Sequence, residues 1–331
     1  MTPPHRRRSA AATAIGLLAG AVLDRVVPDP RRGHPVAVFG AAAGRLERRV
    51  YGPSRARGAA FAFLAVVPAV ALGALAEHRA SPGRRAVVTA AATWSVVGGA
   101  MLGREAGLIA DALEEGDIEE ARRRLPHLCG RDPRGLDEKG IARAVVESVA
   151  ENTSDAAVGP LVWGALLGTP GLLGYRAVNT LDAMVGHRSA RYEDFGWAAA
   201  RIDDVANWAP ARTTAVLACA LAPAVAGDPA QARRILARDG ARHPSPNAGH
   251  CEAAFAGALG LRLGGVNVYG KRVEHRPELG EGPLPEVHDI RRAVRLARAV
   301  TAAAAVLAAT AAAVPAVVDT VAGRGRPVRR R

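Results

Sequence analysis

Two runs without a single charge, AAFAFLAVVPAVALGALA at 59–76 and AVVTAAATWSVVGGAML at 86–102, are separated by only nine residues, EHRASPGRR. As helices of 18 and 17 residues they reach the lower limit for crossing a bilayer core. A link this short and this rich in Arg returns the chain as a membrane hairpin. A third run of the same kind, 299–318 (AVTAAAAVLAATAAAVPAVV), is followed by the basic tail RGRPVRRR.

The N-terminus, MTPPHRRRSAAATAIGLLAGAVLDR, places an apolar run at 9–23 behind a basic start, which is the outline of a signal peptide. No small-x-small cleavage site precedes Asp24, so the segment reads as an uncleaved anchor or a short first membrane helix. Two weaker runs, 156–175 and 213–227, are interrupted by Pro160, Gly168, Pro170 and Gly171 in the first and by Pro223 in the second. Such interruptions suit re-entrant or protein-buried helices, because irregular backbone at membrane depth must be covered by protein or line a wet cavity.

Hydrophobic residues are 49% of the chain but aromatics only 4%, so Ala, Val, Leu and Gly supply the apolar surface. Small residues let helices approach closely in lipid. The expected fold class is therefore all-α, a polytopic integral membrane helix bundle forming one membrane-embedded domain over 1–331. Its site residues are expected on polar loops at 24–57, 103–155, 176–212 and 228–298. The second of these opens with an amphipathic acidic stretch, AGLIADALEEGDIEEARRRL, read as a solvated helical hairpin. HPSPNAGH and LGGVNVYGK, in the last, contain too many Pro and Gly residues for continuous helix.

Lys+Arg number 44 against 31 Asp+Glu, a net +13, yet only Lys139 and Lys271 are lysines. No helix-turn-helix, RNP or zinc-knuckle pattern accompanies this charge, so nucleic acid is excluded as a partner and anionic lipid and anionic substrates are favoured. Cys129, Cys219 and Cys251 form no CxxC and read as reduced thiols. Only Cys251, beside His250 and near His243, suggests a metal, and one thiol with two loop histidines is a weak signal.

The pattern Asn-Thr-x-Asp occurs twice, at Asn152 to Asp155 and at Asn179 to Asp182, each at the edge of an apolar run. In a helix, Glu147, Glu151 and Asp155 share one face with Asn152 beside them. Three like charges running into an apolar segment are costly unless a cation joins them, and carboxylates with an amide suit Mg²⁺ carrying phosphate. The competing reading makes Asn152, Thr153 or Asp155 the N-cap of a helix starting near 156. Beyond the second copy lie Asp203 and Asp204, with Asn207 nearby and with His187, Arg188, Arg191 and Arg201 as cations. Metal ligands are sought among Glu151, Asp155 and Asp182. No Walker A loop or GxGxxG is present, so a nucleotide would be held by carboxylate-bound metal and Arg. HPSPNAGHCEAAF groups His243, Asn247 and Glu252 around two prolines, and alone it reads first as a turn capping the next helix.

Taken in order, ESVAENTSD, AVNTLDAMVGHRSARYEDFGWAAARIDD, NWAPAR, HPSPNAG and GALGLRLGG resemble the membrane-bound cobinamide-phosphate synthase family of cobalamin biosynthesis (CobD/CbiB). DRVVPDPRRGHPVAVFG, with Asp24, Asp29, His34 and Pro35, resembles the family's opening segment, so the likeness runs from about residue 15 to 300. The resemblance implies ATP-dependent amide formation between the free carboxylate of adenosylcobyric acid and aminopropanol or its phosphate. Mg²⁺ would be the cofactor, ATP the cosubstrate, and other membrane enzymes of the pathway candidate partners. Catalytic roles would fall to Glu147, Glu151, Asn152, Asp155, Asn179, Asp182, Asp203 and Asp204. Asp29, His34, His187, Arg188, Arg191, Arg201, His243, Asn247, Glu252 and Asn267 would bind substrates. The chain departs from the family at His250 and Cys251, where an aromatic and a proline are expected, and at Val268 within GGVNVYGK.

Competing functions fit less well. A membrane prenyltransferase would need Asn-Asp-x-x-Asp signatures and aromatics lining a lipid channel. A transporter would show internal duplication, and a signalling relative would lose the acid motifs. Because ATP is cytoplasmic, the four polar regions are expected on one side of the membrane, which requires that 156–175 and 213–227 do not fully span. Cysteine labelling that placed position 190 outside and position 150 inside would refute this.

Overall fold

The computed structural model describes residues 3–30, 32–187, 189–269 and 272–324. Helices run in the order α1 (Pro3–Val26), α2 (Pro35–Val50), α3 (Arg55–Glu77), α4 (Pro82–Val96), α5 (Gly99–Glu114), α6 (Ile118–Arg124), α7 (Glu138–Asn152), α8 (Gly159–Leu167) and α9 (Thr169–Leu181). They continue with α10 (Trp197–Ala206), α11 (Trp208–Ala220), α12 (Pro229–Asp239) and α13 (Ala248–Leu259). An antiparallel hairpin, β1 (Arg262–Tyr269) and β2 (Arg272–Gly280), precedes α14 (Val287–Arg324). Among the described residues the fold is thus helical apart from this hairpin. Four described stretches are long and apolar enough to cross a membrane: Arg8–Val26, Arg55–Glu77, Pro82–Glu114 and Val287–Val314. They contain the runs at 9–23, 59–76 and 86–102 and most of the one at 299–318.

The chain divides into two compact units, one of residues 1–97, 160–203 and 305–331, the other of 98–159 and 204–304. In the first unit α1 packs on α4 through Gly16 and Gly20, spaced one helical turn apart. A Cβ on Gly16 would sit 2.7 Å from the Ala86 carbonyl oxygen, and one on Gly20 would sit 2.6 Å from that of Ala90. Gly20→Leu is therefore expected to destabilise the detergent-solubilised protein by about 2 kcal/mol, the middle of the overpacking range. Gly107→Ala, where a Cβ meets nothing within 4 Å, should leave the thermal midpoint unchanged or raised.

The same unit holds α3, whose outer residues Phe63, Leu72 and Leu75 are more than 60% exposed, as lipid-facing side chains would be. Its inner face buries Phe61 against Phe195, with Leu181 and Val185. The weak run 156–175 is not one helix. Gly168 turns the backbone through φ +69°, dividing α8 from α9, and the half-buried Glu77 accepts the Thr169 N–H at 2.8 Å while pairing with Arg85. Residues 213–227 likewise end α11 at Ala220 and continue as a 3₁₀ turn, Ala222–Val225.

In the second unit α7 and α13 are buried almost all round, α13 being built largely of Ala and Gly. The region 228–298, expected as loops, is mostly regular: α12, α13, the hairpin and the start of α14. Asp239, fully buried at the end of α12, accepts hydrogen bonds from Gly280 N–H (2.9 Å), Arg238 and Arg242, which fastens the hairpin's end. The Arg238 guanidinium holds its carboxyl down at about 2.

Candidate active site

Both Asn-Thr-x-Asp copies lie where the helix widens into a π turn, Thr153–Val158 after α7 and Asp182–Gly186 after α9. In each copy the threonine hydroxyl donates to the carbonyl four residues back, Thr153 to Val149 (2.6 Å) and Thr180 to Arg176 (2.7 Å). This back-bonding bends helices, and π turns recur at functional sites. Asn152 donates to the Ser148 carbonyl and hydroxyl, so it does not cap a helix beginning near 156; the chain is already helical there. The extra residue of the π turn also takes Asp155 out of the Glu147–Glu151 stripe. Asp155 instead lies close enough to raise the Cys251 thiol, which burial already pushes far up.

The acids of the second unit converge on α13. Glu252, fully buried, meets Glu151 of α7 and His243, which the turn ahead of α13 presents, and their ligand atoms lie within 4.8 Å of one another. Both Glu252 oxygens and His243 Nε2 are buried with no hydrogen-bond partner among the described residues. Burial raises the Glu252 carboxyl well above the usual carboxylate range, and the charges of Glu151 and Glu147 push it further the same way. His243 is shifted down, first by burial and then by Arg276. Its Nδ1 accepts the Ser245 N–H at 3.0 Å, so a neutral ring carries its proton on Nε2, directed at Glu252 Oε1 3.8 Å away. With Nε2 protonated the imidazole offers no lone pair toward the cluster, leaving carboxylate oxygens as the groups that would face a cation. An oxygen donor set with an orphaned buried carboxylate fits Mg²⁺.

Around this centre lie cations that sequence reasoning missed. Arg276, paired with Gly265 across the hairpin, brings Nη1 to 3.8 Å from Glu252 and 3.9 Å from Glu151, and Nε to 3.5 Å from Glu274. Arg143 donates to the carbonyls of Gly264 and Val266 and to Asn267 Oδ1 (3.3 Å); a Cβ on Gly265, at φ +88°, would obstruct its guanidinium. Glu147 is placed differently from its neighbours. It pairs with the buried Arg131 and accepts the Gly264 N–H at 2.7 Å, so it joins α7 to β1. Asn267 is buried in β1 opposite Glu274. The stretch RVEHRPELG carries only a broken alternation, with Glu274, His275 and Arg276 polar in succession, so it marked the hairpin that carries Arg276 only weakly.

The turn before α13 caps it as expected, Ser245 Oγ accepting the Ala248 N–H, while Asn247, expected on substrate, donates to the Asp204 carbonyl (2.8 Å) and accepts from Arg212 (3.1 Å). In the first unit Arg176, Asn179 and Asp203 form a relay at 3.4 Å per step, and Asp182 begins the π turn beside it. Arg191, expected on substrate, is held by Glu47 at 3.0 Å and stacks over Tyr51. His187 packs edge-on against Tyr192, Arg201 is exposed on α10, and His34 lies 3.5 Å from Asp29. Arg188 lies outside the described residues. A cavity of ≈ 380 Å³ in the same unit is lined chiefly by apolar side chains such as Phe39, Leu46, Leu72 and Leu173, with no acid to bind metal.

A family model described as CobD/Cbib protein matches residues 17–297. The cobalamin biosynthesis protein CobD of Mycobacterium tuberculosis is 54% identical over 291 residues, 87% of this chain and 92% of that protein. The proteins of the same name from Rhodobacter capsulatus and Geobacter metallireducens are 42% and 43% identical, each over 87% of its own length and 82% and 81% of this chain. No solved structure matches the chain.

Proposed function

This chain belongs to the CobD/CbiB family of cobalamin biosynthesis, and on that premise we propose that it is the membrane enzyme joining the free carboxylate of adenosylcobyric acid to aminopropanol or its phosphate at the expense of ATP. A carboxylate is a poor electrophile. Its oxygen would take the γ-phosphoryl group of ATP with ADP leaving, and the amine would then attack the acyl carbon, releasing phosphate and a proton.

The observation that carries the chemical half of this reading is Glu252, a fully buried carboxylate with no hydrogen-bond partner among the described residues, beside Glu151 and His243. Glu151 and Glu252 would hold Mg²⁺, which when bound supplies positive charge to phosphate oxygens. His243 lies beside Glu252 at 3.8 Å, and the prolines on either side of Ser245 fix the turn that presents it. Arg276 supplies a planar cation for a phosphoryl oxygen. In the first unit Asp182, with Asn179 and Asp203, is the remaining acid group for nucleotide or amine. Four crossings would leave residues 27–54 and 115–286 on one face of the membrane by parity, the cytoplasmic one if ATP is the cosubstrate.

Detergent-purified full-length protein incubated with adenosylcobyric acid, Mg-ATP and either amine should give the amide with one of them, with phosphate released in equal amount. Product mass and phosphate assays check this. Absence of product with both amines, from protein that melts cooperatively, would overturn the assignment.

A further inference from the structure

Arg276 is the cation nearest to both carboxylates of the proposed metal site, its Nη1 being 3.8 Å from Glu252 and 3.9 Å from Glu151. Those distances are contacts between charges, longer than hydrogen bonds. The same carboxylates cannot face a guanidinium and a divalent cation at full strength together, because like charges a few ångströms apart in a buried site repel strongly. Arg276 also has somewhere to go. It rides on β2 of a hairpin with a bulge between Leu263 and Gly265, and Glu274 lies two residues away on the same face, 3.5 Å from its Nε.

We propose that Arg276 is an internal counter-cation: it neutralises Glu151 and Glu252 in the metal-free protein and is displaced when a divalent cation binds them, so that metal binding releases the guanidinium to take a phosphate group. The inference rests on the reading of Glu151 and Glu252 as the metal carboxylates, but it needs no nucleotide or corrinoid. It assigns metal and Arg276 to competition, and it makes metal loading the event that arms the anion site.

The test uses Mn²⁺ as the probe, which oxygen ligands accept in place of Mg²⁺, with free Mn²⁺ read by electron paramagnetic resonance in the full-length detergent-solubilised protein. Arg276→Gln should bind Mn²⁺ at least about fivefold tighter than wild type, the lower end of coupling between linked sites. Glu252→Gln should lose the site. Unchanged or weaker binding in Arg276→Gln overturns the competition, and undiminished binding in Glu252→Gln overturns the site itself. A purely structural role for Arg276 cannot produce tighter binding. If Arg276→Gln fails to fold, wild-type protein decides: phenylglyoxal should modify Arg276, followed by peptide mass, faster with Mn²⁺ than without, and an equal or slower rate would overturn displacement. Failure of the amide assay with this competition intact would condemn the reaction assigned, not the site.

Discussion

Glu252→Gln is expected to abolish amide formation while leaving the thermal midpoint of the metal-free protein unchanged or raised. The two halves of that result have separate causes. Loss of activity, by about 10²–10³-fold or more, follows if the carboxylate holds the charge that stabilises phosphoryl transfer, since removing one such group typically costs that much. Retained stability follows from the surroundings. Glu252 is fully buried, has no hydrogen-bond partner among the described residues, and is pushed toward its protonated form by burial and by Glu151 and Glu147, more than Arg276 holds it down. A carboxyl with a raised folded-state pKa loses stability as pH rises past its unfolded value, so at neutral pH it is a liability that an isosteric amide removes. Single-turnover assays and thermal melts on the same preparation decide. Retained activity would remove Glu252 from the chemistry, and a large fall in melting temperature would make it a structural residue.

Such a residue was half legible in the sequence. The membrane-depth helices could be read because a run of 17 or more uncharged residues has few other uses. Glu151 and Glu252 could be named as polar residues in apolar settings, and the family likeness named the pathway. What sequence could not give was which acids meet. Helical spacing placed Asp155 with Glu147 and Glu151, but the π turn at Thr153 inserts a residue that no local pattern announces. The Asn-Thr-x-Asp echo was visible, and its cause, a threonine bonding back to the carbonyl four residues before it in both copies, was not. Arg276 stayed hidden because its position depends on strand register, fixed only by pairing with β1. Arg191 shows the converse: a cation beside acidic motifs whose partner, Glu47, lies 144 residues away.

Glu147 provides the sharpest contrast with Glu252, one helical turn before Glu151 yet committed elsewhere. Its carboxylate pairs with Arg131, whose side chain is only 4% exposed, lies 3.9 Å from Arg143 Nε, and accepts the Gly264 N–H at 2.7 Å. Neutralising it leaves a buried guanidinium without its carboxylate and weakens one of the ties between α7 and the bulged start of β1. Breaking one side of a buried pair costs about 3–5 kcal/mol, against a total of about 5–15 for a folded domain. Glu147→Gln should therefore lower the denaturant midpoint sharply, and Glu147→Leu combined with Arg131→Met should recover much of the loss, because the double variant buries no uncompensated charge. Activity per folded molecule should fall far less than in Glu252→Gln. If instead Glu147→Gln melts like wild type and is inactive, Glu147 belongs with the catalytic acids, and Arg143 suffices to hold the hairpin over α7 through its hydrogen bonds to Gly264, Val266 and Asn267.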